Sequence, residues 1–355
     1  MELDIKQLKK PFLIAGPCSV ESEEQVFTIA QELKRECAPA LLRGGIWKPR
    51  TRPNSFEGVG AIGLPWLVNA GKSVNIPVAT EVANAKHVEE ALKAGVNVLW
   101  IGARTTANPF AVQDIADALK GVKITVMVKN PINPDLMLWL GAFERLENAG
   151  ITSLIAIHRG FSVYNHPQYR NVPNWAIPIA LKEERSDIPI IGDPSHISGK
   201  REGLFSLAQK ALDLNYAGLM LEVHNTPEKA WSDAQQQITP TAYKELIQNL
   251  ILRSEFIQQK EESSIQNARK RIAAIDDQLF SLLKDRMKIA EEIGAYKKDH
   301  QITILQTEQW KNILETRLSN AKSLGLSEEF MKEILDAIHE ESIRHQTEVM
   351  NRKES

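Results

Sequence analysis

The chain has 355 residues, room for two domains, one of them barrel-sized. A composition that is 43% hydrophobic and 25% charged is that of a soluble globular protein, and a net charge of -2 excludes bulk attraction to nucleic acid or anionic membrane. Two cysteines, Cys18 and Cys37, are too few for a disulfide framework and fit a reducing compartment.

The opening residues from Met1 to Lys6 include acidic side chains and no apolar core, so no signal peptide is expected. No apolar run approaches the ~18 residues of a membrane span. A cytoplasmic protein is the expectation.

From Phe12 onward, short apolar, β-branched runs alternate with amphipathic stretches. Strands are predicted at 12–16, 40–44, 76–80, 97–102, 124–129, 154–158, 188–192 and 218–223, with helices such as 22–34, 85–94 and 201–212 between them. Near-continuous apolar runs suit parallel strands buried on both faces. Eight strand–helix units in this length fit a (β/α)8 TIM barrel of about 250 residues. A doubly wound open sheet is the alternative.

Polar residues favour the barrel. Reactive side chains end almost every apolar run: Cys18, Arg43 and Lys48, Glu81, Arg104, Lys129, His158 and Arg159, Asp193 and His196, Glu222 and His224. In a barrel these converge on the mouth at the C-terminal strand ends, where such folds place their chemistry.

Pro240 is predicted to start a last barrel helix. The polar stretch 258–264 reads as a linker or a helix continuation. Beyond Ile265 there is no proline, and glycine occurs only at Gly294 and Gly325. Apolar residues then recur at helical spacing, predicting one long helix, a second at 307–323 and a third at 327–350. Domain bounds of 1–250 for the barrel, 251–263 for the linker and 264–355 for an all-α three-helix domain follow. Three helices bury little core, so a homodimer through this region is expected.

Four residues could ligate a metal: Cys18, His196, Glu222 and Asp233. A thiolate, an imidazole and two carboxylates suit Mn, Fe, Co or Zn better than Mg or Ca. Such an ion polarises a substrate carbonyl. Singly, each is weak; a lone Cys is more often packed core, and Glu81 reads as structural. Cys37, in a helical stretch without polar companions, is read as bland.

The cations are more telling. Arg43, Lys48, Arg50, Arg52, Arg104, Lys129 and Arg159 lie at or just after strand ends, where a solvated face would not put them. Guanidinium groups bind phosphate and carboxylate bidentately, and lysines add point charge. Substrates with several negative charges are implied.

The segment from Leu42 to Pro53, which reads LRGGIWKPRTRP, resembles the type I, beta-subgroup 3-deoxy-D-arabino-heptulosonate 7-phosphate (DAHP) synthases. So do Gly16-Pro17-Cys18-Ser19, Ile101-Gly102-Ala103-Arg104, His158-Arg159-Gly160 and Asp193-Pro194-Ser195-His196, in the family's order over about 11–240. The resemblance implies condensation of phosphoenolpyruvate with erythrose 4-phosphate. It implies Cys18, His196, Glu222 and Asp233 as ligands of a divalent metal, Mn2+ first among the candidates. Arg43, Lys48, Arg104, Lys129 and Arg159 would hold phosphoenolpyruvate, and Arg50 and Thr51 erythrose 4-phosphate. Lys48 is the candidate proton donor to the aldehyde. Synthases that use arabinose 5-phosphate carry a loop resembling Lys-Ala-Asn-Arg where this chain has Lys48-Pro49-Arg50-Thr51, which favours the four-carbon aldehyde.

Residues 264–350 resemble the all-helical chorismate mutases, in Ala268-Arg269-Lys270-Arg271, Lys284-Asp285-Arg286, Ala295-Tyr296-Lys297 and the run from Glu341 to Gln346. That reaction is a unimolecular pericyclic step. It needs cations to fold a dicarboxylate and donors at the breaking ether bond. By resemblance, Arg269 (from the partner) and Arg286 bind carboxylates, Lys297 and Gln346 face the ether oxygen, and Ser342 contacts a carboxylate. Where relatives carry an Asp and an Arg-Glu pair, this chain has Gln306 and Gln309-Trp310. Gln306 can still meet the substrate hydroxyl; Trp310 cannot accept from it.

A non-catalytic helical dimerisation or sensor module is the alternative for this region. With the first strand expected near Phe12, no N-terminal regulatory domain like that of some relatives is expected. Inhibition of the synthase through chorismate or prephenate at the helical domain is therefore expected.

Overall fold

The computed structural model describes residue 3 and residues 10–48, 55–164, 166–253 and 262–352. The chain divides between residues 255 and 256 into two compact units. Arg50, Thr51 and Arg52 lie outside the described residues.

The first unit is a closed barrel of eight parallel strands in chain order, with β8 returning to β1. The strands are β1 (Phe12–Gly16), β2 (Leu41–Arg43), β3 (Val78–Val82), β4 (Val98–Ile101), β5 (Thr125–Lys129), β6 (Leu154–His158), β7 (Ile190–Gly192) and β8 (Gly218–Glu222). The closing pair runs from Phe12 opposite Gly218 to Gly16 opposite Glu222.

Among the described residues, ten helices belong to this unit: α1 (Glu23–Cys37), α2 (Gly63–Val74), α3 (Ala85–Ala94), α4 (Ala103–Thr106), α5 (Pro109–Ala118), α6 (Leu136–Asn148), α7 (Ala176–Glu184), α8 (Pro194–Ser198), α9 (Leu204–Asp213) and α10 (Pro240–Asn249). Their starts are coded locally. Ser22, Asn84, Asn108, Asp135 and Thr239 accept hydrogen bonds from first-turn N–H groups, and Pro109 and Pro240 follow their caps directly, where no N–H is needed.

In this unit three starts differ from the sequence expectation by two residues or more. Ile76 gives its N–H to Gly71 O and Ile188 to Arg185 O, so both close turns before β3 and β7. Gly203, at φ 86°, lies outside the helical region, so α9 begins at Leu204 and not at 201.

Two apolar layers result. One lies between strands and helices and holds Trp139, Phe143, Leu33 and Tyr243. The other fills the barrel: Phe12, Ile14, Leu41, Ala79, Val98, Trp100, Met127, Ile155, Ile157, Ile191 and Met220. Strand side chains alternate. Two residues further along the inner face from Leu41, Ala79, Met127, Ile157, Ile191 and Met220 stand Arg43, Glu81, Lys129, Arg159, Asp193 and Glu222. Alternation thus carries an apolar interior into a charged mouth, with Trp100 between them.

The second unit contains α11 (Glu262–Asp299), α12 (Thr307–Ala321) and α13 (Glu328–Asn351). Ser327 caps α13 through Phe330 N–H. Helices α11 and α13 approach closely at Gly294, where a Cβ would stand 3.0 Å from Gln346 Cα. Along α11, Ile272, Ile275, Leu279, Leu282 and Ile289 remain more than half exposed. No helix is long and apolar enough to cross a membrane among the described residues.

Candidate active site

At the barrel mouth, Cys18 follows the end of β1 and Glu222 ends β8. Their ligand atoms and one from Asp233 all lie within 4.8 Å of one another. Cys18 Sγ is 3.3 Å from Asp233 Oδ2. His196, on α8 just after β7, brings Nε2 to 3.6 Å from Glu222 Oε1. The four sequence candidates are therefore together, although His196 stands outside the tightest group of three. Glu222 Oε1 is buried without a hydrogen-bond partner among the described residues, facing the Arg43 guanidinium at 3.1 Å. A buried carboxylate oxygen left so, beside a thiol and an imidazole, fits a first-row divalent ion.

Support around the donors is dense. Asp193 takes His196 Nδ1 at 2.8 Å, leaving Nε2 to face the site. Gln236 Nε2 donates to Glu222 Oε2 at 2.5 Å, and Gln237 Oε1 accepts Cys18 N–H at 3.0 Å. Arg170 reaches Asp233 Oδ1 at 3.3 Å and Gln236 Oε1 at 2.6 Å. Arg170, Gln236 and Gln237 were not singled out from sequence; only adjacency to Asp233 pointed to the two glutamines.

Burial first, and then the Glu222 charge, pushes the Cys18 thiol up to about 12, against the opposing pull of Lys48. Lys48 Nζ lies 2.9 Å from Cys18 Sγ and 3.2 Å from Cys18 O. Burial works against its charge, but Cys18, Glu222 and Asp233 outweigh it and hold the ammonium above its usual range.

The cations gather beside this group. Arg43 is buried and stands 5.0 Å over the Trp100 ring; its Nε and Nη1 have no hydrogen-bond partners among the described residues. Lys129 Nζ bonds Asp193 Oδ2 at 3.0 Å and lies 5.9 Å from the same indole. Arg159 donates to Asn171 Oδ1 at 2.5 Å, and burial brings its pKa down to about 10. Arg104 is exposed on α4. Glu81 accepts from Trp100 Nε1 at 2.9 Å, and Gly102 admits it: a Cβ there would meet Glu81 Oε1 at 2.2 Å.

Two strand-end residues do not join the mouth. His158 is enclosed by Phe161, Trp175 and Tyr216; its Nε2 donates to Pro173 O at 2.6 Å and its Nδ1 accepts from Tyr216 OH at 3.0 Å. It ends β6 on the outward face, one residue off the inward alternation. His224 turns to Glu21 at 3.6 Å.

In the helical unit, Arg286 Nη1 donates to Ser342 Oγ at 2.5 Å, and Lys297 Nζ to Gln346 Oε1 at 3.2 Å and Ile304 O at 2.6 Å. Lys297 and Gln306 line a cavity of about 390 Å3 with Ile289, Ile293 and Tyr296. Arg269, Gln306 and Gln309 are exposed.

A closed parallel barrel whose C-terminal mouth joins metal donors to buried cations defines a class: enzymes acting on small, multiply anionic substrates. Residues 6–258 match the DAHP synthetase I family, and the chain belongs to it. Residues 268–347 match chorismate mutase type II. The chain is thus a bifunctional shikimate-pathway enzyme, a DAHP synthase domain followed by a chorismate mutase domain. The synthase family is generally metal-dependent.

Among relatives, the phospho-2-dehydro-3-deoxyheptonate aldolase of Thermotoga maritima is 34% identical over 238 residues, 67% of this chain and 68% of that protein. A 2-dehydro-3-deoxyphosphooctonate aldolase of Azoarcus sp. is 28% identical over 271 residues, 71% of this chain and 94% of that protein. The crystal structure of the Thermotoga enzyme superposes with a TM-score of 0.62 at 30% identity, covering 70% of this chain and 72% of that one.

Proposed function

We propose that the barrel, residues 1–250, condenses phosphoenolpyruvate with erythrose 4-phosphate. We further propose that residues 264–355, after a linker at 251–263, convert chorismate to prephenate. The observation that carries the first is Arg43, whose buried Nε and Nη1 lack partners among the described residues while its Nη2 lies 3.1 Å from Glu222 Oε1, an oxygen that likewise accepts no hydrogen bond among them. One pair of groups thus awaits an anion on one side and a cation on the other.

Cys18, His196, Glu222 and Asp233 would hold a divalent ion, Mn2+ in preference to Fe, Co or Zn, and such an ion supplies a Lewis acid for the aldehyde carbonyl. Arg43, Lys129 and Arg159 bind the phosphate and carboxylate of phosphoenolpyruvate above the Trp100 floor, with Lys48 and Arg104 on the same anion. Arg50 and Thr51 hold erythrose 4-phosphate. Protonated Lys48 delivers a proton to the aldehyde oxygen as the enol π pair of phosphoenolpyruvate forms the new carbon–carbon bond and the carbonyl π bond opens; water then adds at C2 and inorganic phosphate leaves. A purified enzyme turning over arabinose 5-phosphate and not erythrose 4-phosphate would sink this reading.

In the mutase, Arg286 with Ser342, and Arg269 of the partner subunit, hold the substrate carboxylates. Lys297 and Gln346 donate to the ether oxygen, and Gln306 meets the hydroxyl. The exposed apolar stripe of α11 supports a homodimer through the helical domain. Absence of chorismate turnover in the purified parent, no higher than in Arg286→Ala, would favour the alternative, a helical module without catalysis.

The same domain gives a route for feedback. Chorismate or prephenate bound there inhibits the synthase by its different affinity for two states of the enzyme. Prephenate inhibition that survives deletion of 260–355 removes this part of the proposal. The composition and the two free cysteines support a cytoplasmic enzyme.

A further inference from the structure

His339 lies three residues before Ser342 and seven before Gln346, on one face of α13. That face receives Arg286 and Lys297 from α11 through the two hydrogen bonds to Ser342 and Gln346. Trp310 of α12 lies flat on the His339 imidazole, ring centroids 3.7 Å apart and planes 7° apart.

Despite this packing, His339 Nε2 is buried without a hydrogen-bond partner among the described residues. A histidine serving only the core satisfies its nitrogens, as His158 does with Pro173 and Tyr216. His339 is held in place and left unsatisfied. Burial, then Arg286 and Lys297, push its pKa below the usual histidine range, with Asp336 opposing. The ring is neutral at pH 7, one nitrogen donating and the other accepting.

We propose that His339 is a substrate-binding, specificity-determining residue of the mutase site, its Nε2 hydrogen-bonding the ring hydroxyl of chorismate while Trp310 fixes the imidazole plane. This rests on the assignment of Arg286, Lys297, Ser342 and Gln346 to that site. The substrate presents two carboxylates, an ether oxygen and one hydroxyl. Cations suit the carboxylates, and the Lys297–Gln346 pair suits the ether. The hydroxyl, which both donates and accepts, matches a neutral imidazole in either tautomer. Trp310 offers no acceptor of its own, and Gln306, exposed at the cavity wall, can take only one of the hydroxyl's two hydrogen-bonding roles, leaving the other to His339.

The test compares the full-length parent, His339→Leu and His339→Gln on chorismate and on its analogue lacking the ring hydroxyl. His339→Leu should lower kcat/KM for chorismate about tenfold, chiefly through KM, and leave the deoxy analogue unchanged, while His339→Gln recovers part of the loss. Equal losses on both substrates, or undiminished discrimination, overturn the proposal. Arg286→Ala is the separate control: parent-like turnover there withdraws the site assignment itself, whatever the His339 variants do.

Discussion

Asp193 Oδ2 stands 2.8 Å from His196 Nδ1 and aims the opposite ring nitrogen at Glu222. The same oxygen accepts from Lys129 Nζ at 3.0 Å, so one buried carboxylate orients a metal donor and an anion-binding lysine together.

Asp193→Asn should therefore damage two functions at once. Metal affinity should fall roughly 10–100-fold, the usual effect of removing a carboxylate behind a ligating histidine. The KM for phosphoenolpyruvate should rise in the same variant as Lys129 loses its anchor. Calorimetric Mn2+ titration and steady-state kinetics read the two effects; a change in one alone contradicts the shared role.

Cys18 predicts a pH dependence. Its thiol is pushed up to about 12, so it is protonated near neutrality, and an ion bound by thiolate must displace that proton. Mn2+ affinity should rise with pH between about 6 and 9, and Cys18→Ser should flatten the rise. Dissociation constants across that range, parent against variant, decide it; parallel curves would exclude thiolate ligation.

Two glycine substitutions should have opposite signs. Gly102→Ala drives a methyl group against Glu81 Oε1 beneath Trp100 and should destabilise the barrel by ~1–3 kcal/mol. At Gly141, inside α6, an added Cβ would meet nothing within 4 Å, so Gly141→Ala should stabilise by ~0.5–1 kcal/mol. Denaturant midpoints measure both.

His158 should weaken the fold in acid. Burial lowers its pKa to about 4, whereas the unfolded chain takes up that proton near 6.5. Between those values the unfolded state binds more protons, so stability falls as pH drops from about 6.5 towards 4, by on the order of 3 kcal/mol. His158→Gln starts less stable but should lose less on acidification, as urea midpoints at about pH 7 and about pH 4.5 would show.

The barrel was readable because each strand is an apolar run and its polar end marks one mouth. Phe12–Gly16 and Leu154–His158 match the expectation residue for residue. Ile76 and Ile188 are apolar yet precede their strands, because their N–H groups close turns, which hydrophobicity does not encode. The charged mouth was visible, but not the partition within it. One residue of register turns His158 outward and Arg159 inward, and only the two-residue alternation from Ile155 and Ile157 distinguishes them. Asp193 was seen as a motif letter, while its bonds to His196 and Lys129 join residues 3 and 64 positions away. His339 carried no motif at all; its meaning comes from Trp310 stacked on it across the helices.

The unmatched nitrogens of Arg43 have a thermodynamic reach beyond chemistry. A scaffold that buries such donors without protein partners sacrifices resilience when no reactant is bound, and whatever anion reaches them restores it. The enzyme should therefore melt higher when its own reactants abound, so that supply of raw material guards the catalyst's lifetime as well as feeding its turnover.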